Sequence, residues 1–151
     1  MHQLKEGIDF WLGGIKIPYH KGASGHSDAD VLIHAICDAL LGAANLRDIG
    51  FHFPDTSSEY KGIDSKILLQ QVMVLIREKG YQIGNIDATL CLESPKINPF
   101  IPDMIQTLSG VMEIDPQDIS IKATTSEKMG YVGRQEGINA QAVVLIGKSS
   151  A

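Results

Sequence analysis

The chain has 151 residues, 44% hydrophobic and 21% charged, which fits one globular domain with a sizeable core. A net charge of −5 excludes a general nucleic-acid or membrane-surface binder, which needs a basic field. It leaves room for a phosphorylated small molecule held by metals and a few local cations.

Cys37 and Cys91 lie in apolar patterns and read as reduced core thiols. Met1 to Gly7 holds no signal-peptide run, and no segment has the apolar length of a membrane span, so a cytoplasmic protein is expected.

Residues 8–19 read as a hairpin: a short strand, a Gly13-Gly14 turn, then Ile15-Lys16-Ile17 closed by Pro18. A first helix is predicted over 28–44, capped by Ser27 or Asp28, with Leu32, Ala35, Ile36, Ala39, Leu40 and Ala43 facing the core. Asp30, His34 and Asp38 stand four apart and form a separate polar stripe. Residues 45–63 show neither helical nor strand period, so they are expected to be a mobile substrate loop.

A second helix runs over 64–79 from an Asp64 or Ser65 cap to a Gly80 stop. A strand over 84–93 alternates Ile86, Ala88, Leu90 and Leu92 with polar residues. A third helix spans 101–112 with Pro102 in its first turn, and strands follow at 119–124 and 138–146. The last strand is apolar on both faces, as a central strand is. The order predicts an α/β (α+β) fold with a single mixed sheet of about four strands and helices on one side. The bare face of such a sheet needs cover, so an oligomer is expected.

Four constellations carry chemistry. His26, Ser27, Asp28, Asp30, His34 and Asp38 cluster at a helix mouth. Imidazoles with neighbouring carboxylates suit zinc, and a capped helix with an Asp–His pair is the plainer alternative. His2 is a further candidate ligand. Thr124-Thr125-Ser126-Glu127 ends a strand in hydroxyls that suit phosphate and an acid that suits a hard cation, although Thr124 with Glu127 also fits a capping box. Tyr131 and Arg134 lie in a glycine-flanked segment, where Arg134 offers either a phosphate fork or a surface turn. Pro95-Lys96 places a cation at a strand-to-loop corner. Together they favour phosphate chemistry over acyl transfer; there is no Gly-x-Ser-x-Gly and no P-loop.

The same residues resemble the 2-C-methyl-D-erythritol 2,4-cyclodiphosphate synthase family of the non-mevalonate isoprenoid pathway. The resemblance runs through Gly25-His26-Ser27-Asp28-Ala29-Asp30-Val31 with His34, Cys37-Asp38-Ala39-Leu40-Leu41-Gly42, Asp48-Ile49-Gly50, Phe53-Pro54-Asp55-Thr56, Lys61-Gly62-Ile63-Asp64-Ser65, Lys122 to Glu127, and Gly133-Arg134-Gln135-Glu136-Gly137. It covers nearly the whole chain in one register.

That resemblance implies a homotrimer whose sheets face its interior, with each site between two subunits. It implies that the 2-phosphate of 4-diphosphocytidyl-2-C-methyl-D-erythritol 2-phosphate attacks the β-phosphorus, closing the ring and releasing CMP. It implies a zinc ion on His2 and His34 and a magnesium or manganese ion on Glu127. His26, Ser27 and Thr125 match groups around the transferring phosphate. Asp48, Gly50, Phe53, Asp55 and Ser57 match the substrate loop; Pro95, Lys96 and Thr124 match the cytidine pocket. Tyr131 and Arg134 match residues near the phosphate and the trimer cavity.

One motif departs. The family's first strand ends in Gly-x-Asp-x-His, and Met1-His2 aligns with only its last two positions. The first strand, with its glycine and the zinc carboxylate, would lie before residue 1. Weakened zinc binding and turnover are therefore expected for residues 1–151, unless Asp30 or Asp38 substitutes. A catalytically impaired or non-catalytic trimeric binder of cytidine nucleotides or isoprenoid diphosphates is the alternative. A bifunctional arrangement with a cytidylyltransferase is disfavoured by the length.

Overall fold

The computed structural model describes residues 1–150. Its strands are β1 (His2–Glu6), β2 (Phe10–Leu12), β3 (Ile15–Ile17), β4 (Lys21–Ser24), β5 (Tyr81–Cys91), β6 (Ile119–Thr124) and β7 (Gly137–Lys148). Its helices are α1 (Val31–Ala43), α2 (Ile49–His52), α3 (Ser65–Glu78), α4 (Ile101–Met112) and α5 (Gly130–Gly133). Five strands form one mixed sheet in the order β4-β1-β7-β5-β6, and β2-β3 forms a separate hairpin. Only β5 and β6 run parallel; the other neighbours are antiparallel.

The fold class stands as expected, with corrections of detail. The sheet has five strands rather than four. Residues His2–Glu6 form β1, between β4 and β7, where the sequence reading placed no strand. Its pairing with β7 is short, His2 with Ile138 and Gln3 with Gly137; beyond Ile138, β7 pairs only with β5 among the described residues. Residues 45–63 carry α2 and a 3-10 turn, Ser58–Tyr60, rather than structureless chain. Polar anchors hold them. Asp38 Oδ1 accepts from the Ile49 amide at 2.8 Å, Asp48 caps α2 by accepting from the Phe51 amide at 2.8 Å, and His52 Nε2 donates to the Leu46 carbonyl at 2.6 Å.

The helices cover one face of the sheet. α1 buries Val31, Leu32, Ile33, Ile36, Cys37, Leu40 and Leu41 in a core that also takes Leu69, Ile76, Ile86, Leu90, Met104 and Ile121. On the opposite face β7 leaves Val143 72% and Leu145 64% exposed. The apolar pattern on both sides of β7 is therefore half-used within one chain. Both cysteines are free, Cys37 buried and Cys91 half-buried.

The N-cap of α1 is Asp30, not Ser27 or Asp28. Its carboxylate is fully buried and accepts three amides: Ile33 at 3.0 Å, Gly13 at 3.0 Å and Gly14 at 2.7 Å. One side chain thus caps the site helix and pins the hairpin turn. That turn needs glycine twice, because Gly13 has φ +62° and Gly14 φ +80°. A Cβ on Gly13 would also lie 2.6 Å from Met104 Cγ.

Removing Asp30 strips a helix cap and leaves two further buried amides unpaired, so Asp30→Ala should cost about 3 kcal/mol or more in urea unfolding. Burial, opposed by those amides, pushes its carboxyl up to about 6 from 3.8. The folded state therefore binds this proton more tightly, and the group's contribution is full below 3.8 and lost as pH rises through about 6. The stability gap between wild type and Asp30→Asn should narrow over that range; a gap that widens with pH contradicts the assignment.

Candidate active site

The mouth of α1 faces the first residues of β1. His2 Nε2 and His34 Nδ1 are 3.0 Å apart, with their rings edge-to-face at 85°. Burial pushes His34 down to about 4, helped by the adjacent His2, and burial also lowers His2. Both imidazoles are therefore neutral at pH 7, the state in which a ring nitrogen can bind a metal.

A hydrogen-bonded chain orients His34. Ser65, buried at the start of α3, lies 2.5 Å from Asp28 Oδ1, to which its hydroxyl donates, and its amide donates to Asp28 Oδ2 at 3.0 Å. With its hydrogen committed to Asp28, Ser65 Oγ can only accept from His34 Nε2, 2.9 Å away. Ser27 Oγ lies 3.1 Å from the same nitrogen. The proton on His34 is thereby assigned to Nε2, and the Nδ1 lone pair points at His2.

This cluster opens into a cavity of about 420 Å³ lined by His2, His26, Ser27, His34, Gly50, Phe53 and Asp55, among others. His26 Nε2 donates to the Ser57 carbonyl at 2.9 Å, which ties the 45–63 segment to the α1 mouth. Asp48 and Ser57 do not line the cavity; each caps a short helical turn.

A second cavity of about 410 Å³ lies beyond the C-terminal ends of β5 and β6. Glu93, Pro95, Lys96, Thr124 and Thr125 line it. Glu127 stands beside this group, its amide donating to Thr125 Oγ1 at 3.2 Å. The two linings share no residue, so the predicted site residues fall into two separate sets. Tyr131 and Arg134 join neither. The Tyr131 hydroxyl accepts from Asn139 Nδ2 at 3.2 Å, and Arg134 pairs with Glu136 at 2.8 Å on the surface.

Asp30 and Asp38 do not complete a metal site, contrary to one sequence alternative. Asp30 is consumed by three amides and Asp38 anchors α2. Among the described residues no group of three His, Cys, Asp or Glu is placed to hold an ion. The role of Ser65 was missed in the sequence, where it read only as a helix start; a hydroxyl at a fully buried first position was the unreadable part.

A family model, the YgbB family, matches residues 1–147. The chain belongs to the YgbB family. A 2-C-methyl-D-erythritol 2,4-cyclodiphosphate synthase of Bacteroides fragilis is 66% identical over 148 residues, covering 98% of this chain and 93% of that protein. A solved structure of a 2C-methyl-D-erythritol-2,4-cyclodiphosphate synthase in a CDP-bound form superimposes with a TM-score of 0.89 at 36% identity, over 97% of this chain and 95% of that one. The bifunctional IspDF of Campylobacter jejuni superimposes at 0.94 with 38% identity; the chain spans only 40% of that protein.

The lowered His34 value makes a test. Between about 4 and 6.5 the unfolded state binds more protons at this residue than the folded state, so its contribution to stability rises with pH through that window and is full above 6.5. Imidazole ¹⁵N spectra should show His34 neutral with its proton on Nε2 at pH 6; a titration midpoint near 6.5 contradicts the buried arrangement.

Proposed function

We infer that this chain converts 4-diphosphocytidyl-2-C-methyl-D-erythritol 2-phosphate into 2-C-methyl-D-erythritol 2,4-cyclodiphosphate and CMP. The observation that carries the reading is the division of site residues between two cavities. One holds the His2, His26, Ser27 and His34 cluster, and the other holds Lys96, Thr124 and Thr125. The 66% identity to the Bacteroides fragilis synthase supports it.

A 2-phosphate oxygen forms a bond to the β-phosphorus while the bond from that phosphorus to the α–β bridging oxygen breaks, and CMP departs with the oxygen. The substrate brings its own nucleophile, so the protein needs only to position the groups and neutralise charge. His26 and Ser27 at the α1 mouth, with Thr125 from the other set, hold the transferring phosphate. Gly50, Phe53 and Asp55 receive the methylerythritol portion, with Asp48 and Ser57 shaping that loop. Pro95, Lys96 and Thr124 receive the cytidine. Tyr131 in α5 and Arg134 just after it line neither cavity of one chain, so their part falls to the interior of the trimer.

The donor chemistry fits zinc at His2 and His34, two neutral imidazoles whose nitrogens converge, although the described residues add no third acid or thiolate. Glu127 suits a magnesium or manganese ion. When bound, such ions supply positive charge to a reaction in which an acidic chain has few cations to offer.

Val143 and Leu145, bare on the sheet, support a homotrimer in which the first cavity of one subunit meets the second cavity of its neighbour. The cytoplasm is the expected compartment; no helix of the described residues is long and apolar enough to cross a membrane.

A second reading is a trimeric protein that binds cytidine nucleotides or isoprenoid diphosphates without turnover; beside it stands only that the described residues bring no third acid or thiolate to His2 and His34. Incubation with the diphosphocytidyl substrate and Mg²⁺, followed by ³¹P NMR and CMP quantitation, separates the two. The first reading predicts equimolar cyclodiphosphate and CMP, with His34→Ala slower by about 10²-fold or more. CDP binding without any CMP release would establish the second.

A further inference from the structure

The turn after β6 carries Thr125 and Glu127, and its backbone is unusual. Glu127 has φ +54° and Lys128 φ +62°, two consecutive non-glycine residues in the left-handed region. Side chains resist that conformation, so neighbouring contacts must impose it. The contacts come largely from one carboxylate. Glu93, just beyond β5, accepts at Oε1 from the Ser126 amide at 3.0 Å and the Lys128 amide at 3.2 Å; the Ser126 hydroxyl lies 3.0 Å from the same oxygen but has one hydrogen, and its shorter contact, 2.7 Å, is to the Met129 carbonyl within the turn. From below, α5 presses on the turn: a Cβ on Gly133 would lie 2.1 Å from the Lys128 carbonyl carbon. The Glu127 amide in turn donates to Thr125 Oγ1, so the direction of the acid and that of the hydroxyl are set by the same turn.

We propose that Glu93 is a positioning residue, which clamps residues 126–128 so that Glu127 and Thr125 are aimed together at the nucleotide cavity. It acts through an acceptor oxygen at a fixed place, not through direct chemistry. The proposal rests on the reading of Glu127 as the holder of a divalent ion beside a cytidine nucleotide. Without Glu93 the Ser126 and Lys128 amides lose their shared acceptor, the left-handed pair relaxes, and Glu127 swings away. Gln keeps an oxygen at the same reach and preserves the clamp; Ala removes it.

The test is Mn²⁺ binding to the full chain in the presence of CDP, followed by electron paramagnetic resonance, beside the rate of CMP release. Glu93→Ala should weaken Mn²⁺ binding by about tenfold or more, the loss typical of removing a group that orients a ligand. Glu93→Gln should stay within about threefold of wild type, since the acceptor survives. If Glu93→Ala does not fold, Glu93→Asp serves, because it withdraws the acceptor from the Ser126 and Lys128 amides by one methylene and should weaken Mn²⁺ binding measurably. Unchanged Mn²⁺ affinity in Glu93→Ala, or in Glu93→Asp where that is the variant read, overturns the clamp. So does a Glu93→Gln protein as weak as Glu93→Ala. A wild-type protein that binds neither CDP nor Mn²⁺ overturns the functional reading and the clamp with it, whereas wild-type binding with an unaffected Glu93→Ala overturns the clamp alone.

Discussion

The five-stranded sheet carries its helices on one face, and that asymmetry governs the rest of the molecule. Ile86, Ala88 and Leu90 of β5 turn inward to the helices, while the alternate residues of the sheet face outward. The outward residues of β7 include Val143 and Leu145, each of which forgoes about 2 kcal/mol by remaining in water. In the proposed trimer, covering this face with other copies would act twice: it would bury the apolar surface, and it would let a neighbour complete the two cavities that are separate within one chain.

On the covered side, buried carboxylates do work that the apolar core cannot. Asp30 joins the hairpin, the start of α1 and, through α1, the position of His34. Asp28 joins the same helix mouth to α3 through Ser65 and fixes which nitrogen of His34 is free. Asp38 fastens the 45–63 segment at Ile49. Each aspartate of the α1 region is therefore committed to geometry, which explains why none is left to bind a metal.

Much of this was legible in the sequence. Periodicity placed α3, α4 and β6 nearly to the residue, because their apolar spacing is regular and Asp64, Pro102 and Gly80 mark their ends. The resemblance named His2, His26, Ser27 and His34 in the lining of one cavity and Pro95, Lys96, Thr124 and Thr125 in that of the other, but not Tyr60, Leu68, Glu93, Ile97 or Asn98. What could not be read was which polar group served which amide. Asp30 looked like one of three equivalent stripe residues, and only the approach of Gly13 and Gly14 from a distant hairpin distinguishes it. Glu93 read as a strand end, since its partners lie more than thirty residues away. The anchors within 45–63 were hidden for the same reason: short polar turns leave no period.

One catalytic site shared between two copies is the central proposal. Subunit complementation tests it most directly. His34→Ala disables the metal-side cavity and Lys96→Ala the nucleotide-side cavity, so each variant alone should release little CMP. Unfolding and refolding the two together forms mixed oligomers, and the account predicts that CMP release returns, because some interfaces then join two intact halves. Mixed oligomers, verified by mass spectrometry, that stay as inactive as the separate variants would contradict it.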